Sequence, residues 1–377
     1  MRCVAPWVQV YHHTDGGIYP CCKLAGNPNS LLGHTSQKFD DVWNCDKQKN
    51  IRRHFIKGQT PPECAQHCIN TAAPFNEYYN GKYGTHINSF KDLTSEDGMY
   101  SGTPRMIMVA SSNVCNFKCI YCSGSYSCLI YNDKGTQKIS KAFSTSNEFV
   151  SLINKGIDRI IFAGGESAIQ DEYYTALTHL KEIDHTDVAI EFITNLSTLT
   201  YKTKSVIDEL RPFKNATIVG SVDSVGDRQE FIRKNSKFTT IETNLKHIIS
   251  NKIKFVWQPV ITNLSVHTIP DLHYRWVESG LMNKGNVRYI LLTTPEMFCA
   301  YNQPISAKST CLIKLAHYMN YLKDEADTSL NACTPAQKIK SAIKYILTGE
   351  QNYNSMLDHF RDAGVLDEFY NIFTEFK

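Results

Sequence analysis

From residue 105 onward the chain alternates short apolar runs with amphipathic stretches, and this rhythm restricts its fold more than any other feature. Apolar runs stand at 106–110, 157–163, 188–194, 216–222, 253–261 and 287–293. Helical patterns lie between them, near 146–155, 171–183, 201–211, 226–250 (interrupted near Asn235) and 266–279. Such alternation builds parallel βαβ units, whose strands are buried on both faces. Six units fall short of the eight that close a barrel. The predicted fold class is α/β: a partial (β/α)6 TIM-like barrel over 105–295. Helical spacing in 312–322 and 336–347, and apolar positions on both sides of Gly364, predict a C-terminal helical region over 296–377 packed on that barrel.

The bulk properties remove several alternatives. A chain of 377 residues that is 42% hydrophobic can bury a large core. A net charge of +3 leaves no footprint for nucleic acid, so none is indicated. No run approaches the roughly 18 apolar residues of a membrane span, and Met1 to Trp7 lack the apolar stretch of a secretory signal. A cytoplasmic protein without membrane contact is expected. Its 13 cysteines are then more readily metal ligands than disulfides. Six fall within the first 68 residues and four between 115 and 128, which suggests two metal sites. Residues 1–72 read as a small Cys-rich module held more by metal than by core, and 73–104 as a linker.

The stretch Ser112-Asn113-Val114-Cys115-Asn116-Phe117-Lys118-Cys119-Ile120-Tyr121-Cys122 follows the first barrel strand. Three thiolates at this spacing can hold one cubane cluster and leave its fourth iron open to a small molecule. A zinc site completed by Cys128 is the competing reading, since structural zinc wants four ligands. CxxxCxΦC, with Tyr121 as the aromatic residue, resembles the signature of the radical S-adenosylmethionine (SAM) superfamily. The resemblance implies a [4Fe–4S] cluster on Cys115, Cys119 and Cys122 that binds SAM and cleaves it reductively to a 5′-deoxyadenosyl radical.

Further segments extend that likeness. Gly164-Gly165-Glu166 ends the second strand and resembles the family's GGE motif, in which the carboxylate takes the SAM amino group. Glycines there allow a ligand close to the backbone. The resemblance assigns polar residues at the ends of the third and fourth strands to the methionine and ribose parts of SAM, which selects Thr194, Asn195, Ser221 and Asp223. Phe231-Ile232-Arg233-Lys234 looks like a Tyr-Ile-Arg stretch whose arginine pairs with the SAM carboxylate. Each of these polar residues also has an ordinary reading as a strand end, helix cap or surface group.

The N-terminal order is Cys3-Val4-Ala5-Pro6-Trp7, Gly16 to Cys21-Cys22, Leu32-Gly33, Trp43, Arg52, and Cys64-Ala65-Gln66-His67-Cys68. It is similar to the twitch or SPASM-type auxiliary-cluster module, placed here before the barrel. This implies a second, auxiliary [4Fe–4S] cluster on Cys3, Cys21, Cys64 and Cys68, with Cys22 as substitute for Cys21. A zinc ribbon from the same cysteines stays open, because tetrahedral thiolate sites suit both metals. The function expected is hydrogen abstraction from a peptide or small-molecule substrate, with an electron donor such as flavodoxin or ferredoxin. The alternative is a non-catalytic zinc or Fe–S adaptor contacting RNA or protein.

Overall fold

The computed structural model describes residues 3–68, 83, 86–133, 156–325, 334–349 and 353–376. One eight-stranded sheet organises them. Its order is Lys254–Trp257, Ala216–Gly220, Ala189–Thr194, Arg159–Ala163, Met106–Ala110, Gln9–His12, Gly17–Tyr19 and Gly33–His34. Every pair from Lys254–Trp257 to Gln9–His12 is parallel; the last two pairings are antiparallel. Val260–Ile261 pairs in parallel with Ile290–Leu291, and Trp257 bridges Val287, so the sixth expected strand joins the fifth. Arg159–Ala163 is buried at all five positions, as a strand covered on both faces requires.

Helices Asp171–Glu182, Phe238–Ser250 and Ile269–Glu278 fall where the periodicity places them. The 201–211 stretch divides into a small hairpin and the helix Val206–Leu210. The interruption near Asn235 is real. Helix Gly226–Ile232 ends, Arg233–Lys234 pairs antiparallel with Lys118–Cys119, and Asn235 takes a positive φ of 75°. The 146–155 helix lies outside the described residues.

The N-terminal segment differs from expectation. Its strand Gln9–His12 extends the barrel sheet against Met106–Ala110, and Val4, Trp7, Val10, Ile51 and Phe55 belong to the same apolar cluster as the barrel strands. Apolar packing shared with the barrel therefore contributes to holding this region, beyond what its own short apolar runs announce. Its aromatic and basic landmarks converge. Arg52 is fully buried, donates to Pro6 O, Trp43 O and Asn44 Oδ1 at 3.0, 2.9 and 2.7 Å, and lies 4.5 Å over the Trp43 ring. Carbonyl acceptors and a ring face make that burial affordable. Part of the expected linker is also structured: helix Ile87–Asp92 forms, Thr94 Oγ1 accepts from Trp7 Nε1 at 2.9 Å, and Gly102 O accepts from Trp43 Nε1 at 2.8 Å.

C-terminal helices Ile305–Tyr321 and Pro335–Thr348 pack on the barrel core. The last two, Tyr353–Asp362 and Leu366–Ile372, make a separate aromatic cluster of Phe298, Phe360, Phe369, Phe373 and Phe376 around Phe231 and Ile232. Arg228 and Glu375 fasten it with a bidentate pair at 2.5 and 2.6 Å.

Candidate active site

The parallel strands all deliver their C-terminal ends to one edge of the sheet, where sites of β/α folds gather. There a cavity of about 150 Å³ is walled by Cys115, Cys119 and Cys122. Gly164, Gly165, Glu166, Thr194, Asn195, Ser221, Tyr121 and Arg233 line the same cavity. The hollow brings together eleven residues that the sequence singles out, though they span well over a hundred positions.

Local structure explains why the cysteine loop holds its shape. Gly165 N and Glu166 N donate to Ser112 O and Val114 O at 3.0 and 2.8 Å, laying the 164–166 turn directly under the loop. A Cβ on Gly165 would stand 2.1 Å from Val114 O, and Gly164 has φ +107°. The glycines therefore admit the cysteine loop itself, and not only a ligand as expected. On the other side Cys119 lies opposite Arg233 in the short antiparallel pair. Asn116 Nδ2 donates to Ser197 Oγ, and Asn195 Nδ2 to Asn116 Oδ1, at 2.8 and 2.9 Å.

Glu166 is 1% exposed. Its carboxylate accepts from Thr194 Oγ1, Asn195 N and Ala168 N at 2.5, 2.7 and 3.0 Å. Burial pushes its carboxyl up, and these donors hold it down in part. Thr194 and Asn195 thus act on Glu166 and on the loop; sequence reasoning gave them to the ligand. Ser221 lines the cavity with its N–H on Thr194 O at 2.8 Å.

Asp223 requires a correction. It is fully buried and does not face the cavity. Its carboxylate accepts from Arg233 Nε and Nη2 at 2.8 and 3.0 Å, Tyr121 OH at 2.5 Å and Val260 N at 2.9 Å. A carboxylate with every lone pair engaged has none left for a ribose. Arg233 gives its Nε–Nη2 edge to Asp223 and points Nη1 to Cys119 Sγ at 3.9 Å, so only its Nη1–Nη2 end is left for the SAM carboxylate that the resemblance assigns to it.

The donor set fits an iron–sulfur cluster with three protein ligands. Among the described residues no three His, Cys, Asp or Glu side chains close around a single ion; the three thiols ring a hollow. Burial pushes the Cys119 thiol up to about 12 despite Arg233, and pushes Cys115 and Cys122 up as well. The metal-free thiols are therefore protonated near neutral pH, and loading a metal group releases protons. Cys128 is no fourth ligand: its Sγ donates to Cys115 O at 3.7 Å, away from the cavity. Cys299 and Cys311 are buried elsewhere. Phe117, Tyr126, Ser127, Ile193 and Val260 also line the hollow, and sequence reasoning missed them. Ile193 and Thr194 are neighbours on one strand and both line the hollow, so alternation along the strand does not mark these residues in advance.

The N-terminal cysteines are distributed over two surroundings. Cys3 and Cys64 are buried in the large apolar core, and Cys21 packs against it. Cys64 lies on helix Pro62–Cys68, which rests on the turn Cys22–Leu24. Cys22 turns the other way, packing against Tyr11, Tyr19 and Tyr126. The side chain of Cys68 lies outside the described residues.

Comparison with known proteins agrees with this arrangement. The family model "Radical SAM superfamily" matches residues 109–273, and "Iron-sulfur cluster-binding domain" (SPASM) matches residues 3–69. Among solved structures, anSMEcpe with bound AdoMet is similar at 15% identity over 58% of this chain and 62% of that one, with a TM-score of 0.43. Streptococcus suis SuiB bound to S-adenosylmethionine is similar at 14% identity over 74% and 59%, with a TM-score of 0.45. The radical SAM methyltransferase TsrM from Kitasatospora setae is 14% identical over 62% and 44%, with a TM-score of 0.36. The chain spans about three fifths of the length of the first two. No curated protein matches it. Three thiols and a buried glutamate at the mouth of a parallel sheet thus lie within a radical SAM domain, which follows an iron–sulfur cluster-binding domain in this chain.

Proposed function

We propose that this chain reductively cleaves SAM and abstracts hydrogen from a peptide or small-molecule substrate, with an auxiliary iron–sulfur cluster in its N-terminal region. The observation that carries this reading is the single cavity that holds all three loop cysteines, Glu166 and the 194–195 strand end. Cys115, Cys119 and Cys122 would hold a [4Fe–4S] cluster, which when bound would supply the electron for reductive cleavage of SAM. The chain's own part is positioning. Glu166, fixed by three donors, presents a buried carboxylate to the SAM ammonium. Tyr121 and Ser221 complete the cavity wall beside it. Phe117, Ile193 and Val260 keep that wall apolar, which excludes water from a reactive radical.

For the auxiliary cluster, Cys3, Cys21 and Cys64 support a set completed by Cys68, because Cys22 packs on the tyrosine side. The electron donor is of the flavodoxin or ferredoxin type. The cysteine wealth and the lack, among described residues, of a helix long and apolar enough to cross a membrane support a cytoplasmic setting.

The test is anaerobic reconstitution. Protein holding about eight iron atoms that converts SAM to 5′-deoxyadenosine with dithionite is expected. Colourless, zinc-loaded protein inert to SAM would refute the proposal and favour a metal-binding adaptor.

A further inference from the structure

We propose that Arg233 serves the sulfur side of the site: held flat by Asp223, its guanidinium sets the charge beside Cys119 and so raises the reduction potential of the cluster that Cys119 ligates. This rests on the cluster assignment proposed above.

Backbone register comes first. Arg233 and Cys119 are direct partners in the antiparallel pair, and Ile120 N donates to Ile232 O at 3.0 Å. The side chain therefore has no distance to search. Two of its three nitrogens are spent on Asp223, at 2.8 and 3.0 Å, and the third, Nη1, reaches Cys119 Sγ at 3.9 Å. Asp223 takes the Nε–Nη2 edge, and the remaining Nη1–Nη2 end is the one turned to Cys119.

Asp223 is itself held by Tyr121 OH at 2.5 Å and Val260 N at 2.9 Å, and its own N–H donates to Gln229 Oε1 at 2.9 Å. Behind Arg233, Phe231 is wedged in the C-terminal aromatic cluster, which Arg228 and Glu375 fasten. The C-terminal helices thereby acquire a role: they brace the segment that carries Arg233 to the cysteine loop.

The electrostatics follow. Arg233 is 7% exposed and Asp223 0%, so water screens neither. A cation and N–H donor at a cluster thiolate stabilise the reduced, more negative cluster, and outer-shell groups of this kind tune potentials. Arg233→Gln removes the cation and shifts the potential to more negative values. Asp223→Asn leaves the cation uncompensated and shifts it to more positive values.

The experiment is an EPR-monitored redox titration of anaerobically reconstituted full-length protein without SAM, following the cluster whose signal changes when SAM is later added. Opposite shifts in the two variants are expected, with SAM affinity of Arg233→Gln reduced by less than about tenfold. Unmoved potentials, or a far larger loss of SAM affinity with the potential kept, overturn the inference and return Arg233 to the SAM carboxylate. If Arg233→Gln does not hold its cluster, Arg233→Lys replaces it. A potential nearer the parent's than that of Asp223→Asn then supports the role, and two potentials equal to the parent's overturn it. Parent protein that takes up no SAM-responsive cluster overturns the cluster assignment, and this inference with it.

Discussion

The cysteines of the 115–122 loop sit among charges at a sheet edge, whereas Cys3 and Cys64 of the N-terminal region sit in the apolar core. The first set faces a cavity lined by Glu166 and Arg233. The second packs in the same cluster as Trp7, Trp43 and Leu24. Thiols that face an open hollow can accept a small molecule at the metal; thiols enclosed by side chains can hold a metal but offer it nothing else. One residue class thus takes two roles, decided by what surrounds it.

The sharpest way to break this contrast is Cys119→Ala. Production of 5′-deoxyadenosine is expected to fall below detection while about half of the iron, some four atoms, remains. A variant that still makes 5′-deoxyadenosine would remove the open site from the loop. Cys64→Ala is the mirror experiment: iron falls by the same half, but SAM is still cleaved, as liquid chromatography of the products would show. Loss of SAM cleavage along with that iron would mean that the two regions are not separable.

Glu166→Gln asks whether the charge of the open site matters. It keeps the shape and loses the carboxylate, so SAM binding is expected to weaken by about 10- to 100-fold, the worth of a charge-assisted hydrogen bond, with cluster content unchanged. Equal affinity in a binding titration would leave Glu166 as a turn cap only.

His12, on the strand that joins the two regions, tests the core side. Burial lowers its pKa to about 3. The unfolded chain takes up a proton below about pH 6.5, the folded chain does not, and stability is lost as pH falls through that window. At pH 5 the loss from this residue is about 2 kcal/mol. His12→Gln is expected to flatten the decline of Tm between pH 7 and 5; an unchanged decline would assign it to other groups, His273 among them. The smallest effect is reserved for Cys22→Ala, which leaves iron content as it was if Cys21 is the ligand. A loss of iron there would exchange the two.

Much of the site was legible because its parts lie in short segments. Cys115, Cys119 and Cys122 share one loop, and Gly164, Gly165 and Glu166 one turn, so spacing alone set them side by side. The partners of those segments were not legible. Asp223 reads as a strand-end carboxylate free for a ribose, and only the approach of Arg233, Tyr121 and Val260 shows that it is fully engaged. The N-terminal region reads as a metal-held module because its own apolar runs are short. It shares its core with a strand that begins nearly a hundred residues later, and no local pattern announces that pairing.

Hydrophobic alternation and thiol spacing, both local properties, determined the βαβ architecture and the cluster loop from the sequence by itself. Which carboxylate meets which arginine, which of two adjacent cysteines turns to the core, and what the C-terminal helices brace were decided by tertiary structure. Those outcomes depend on desolvation and competition among groups far apart in the chain, and such competition exists only once the chain has folded.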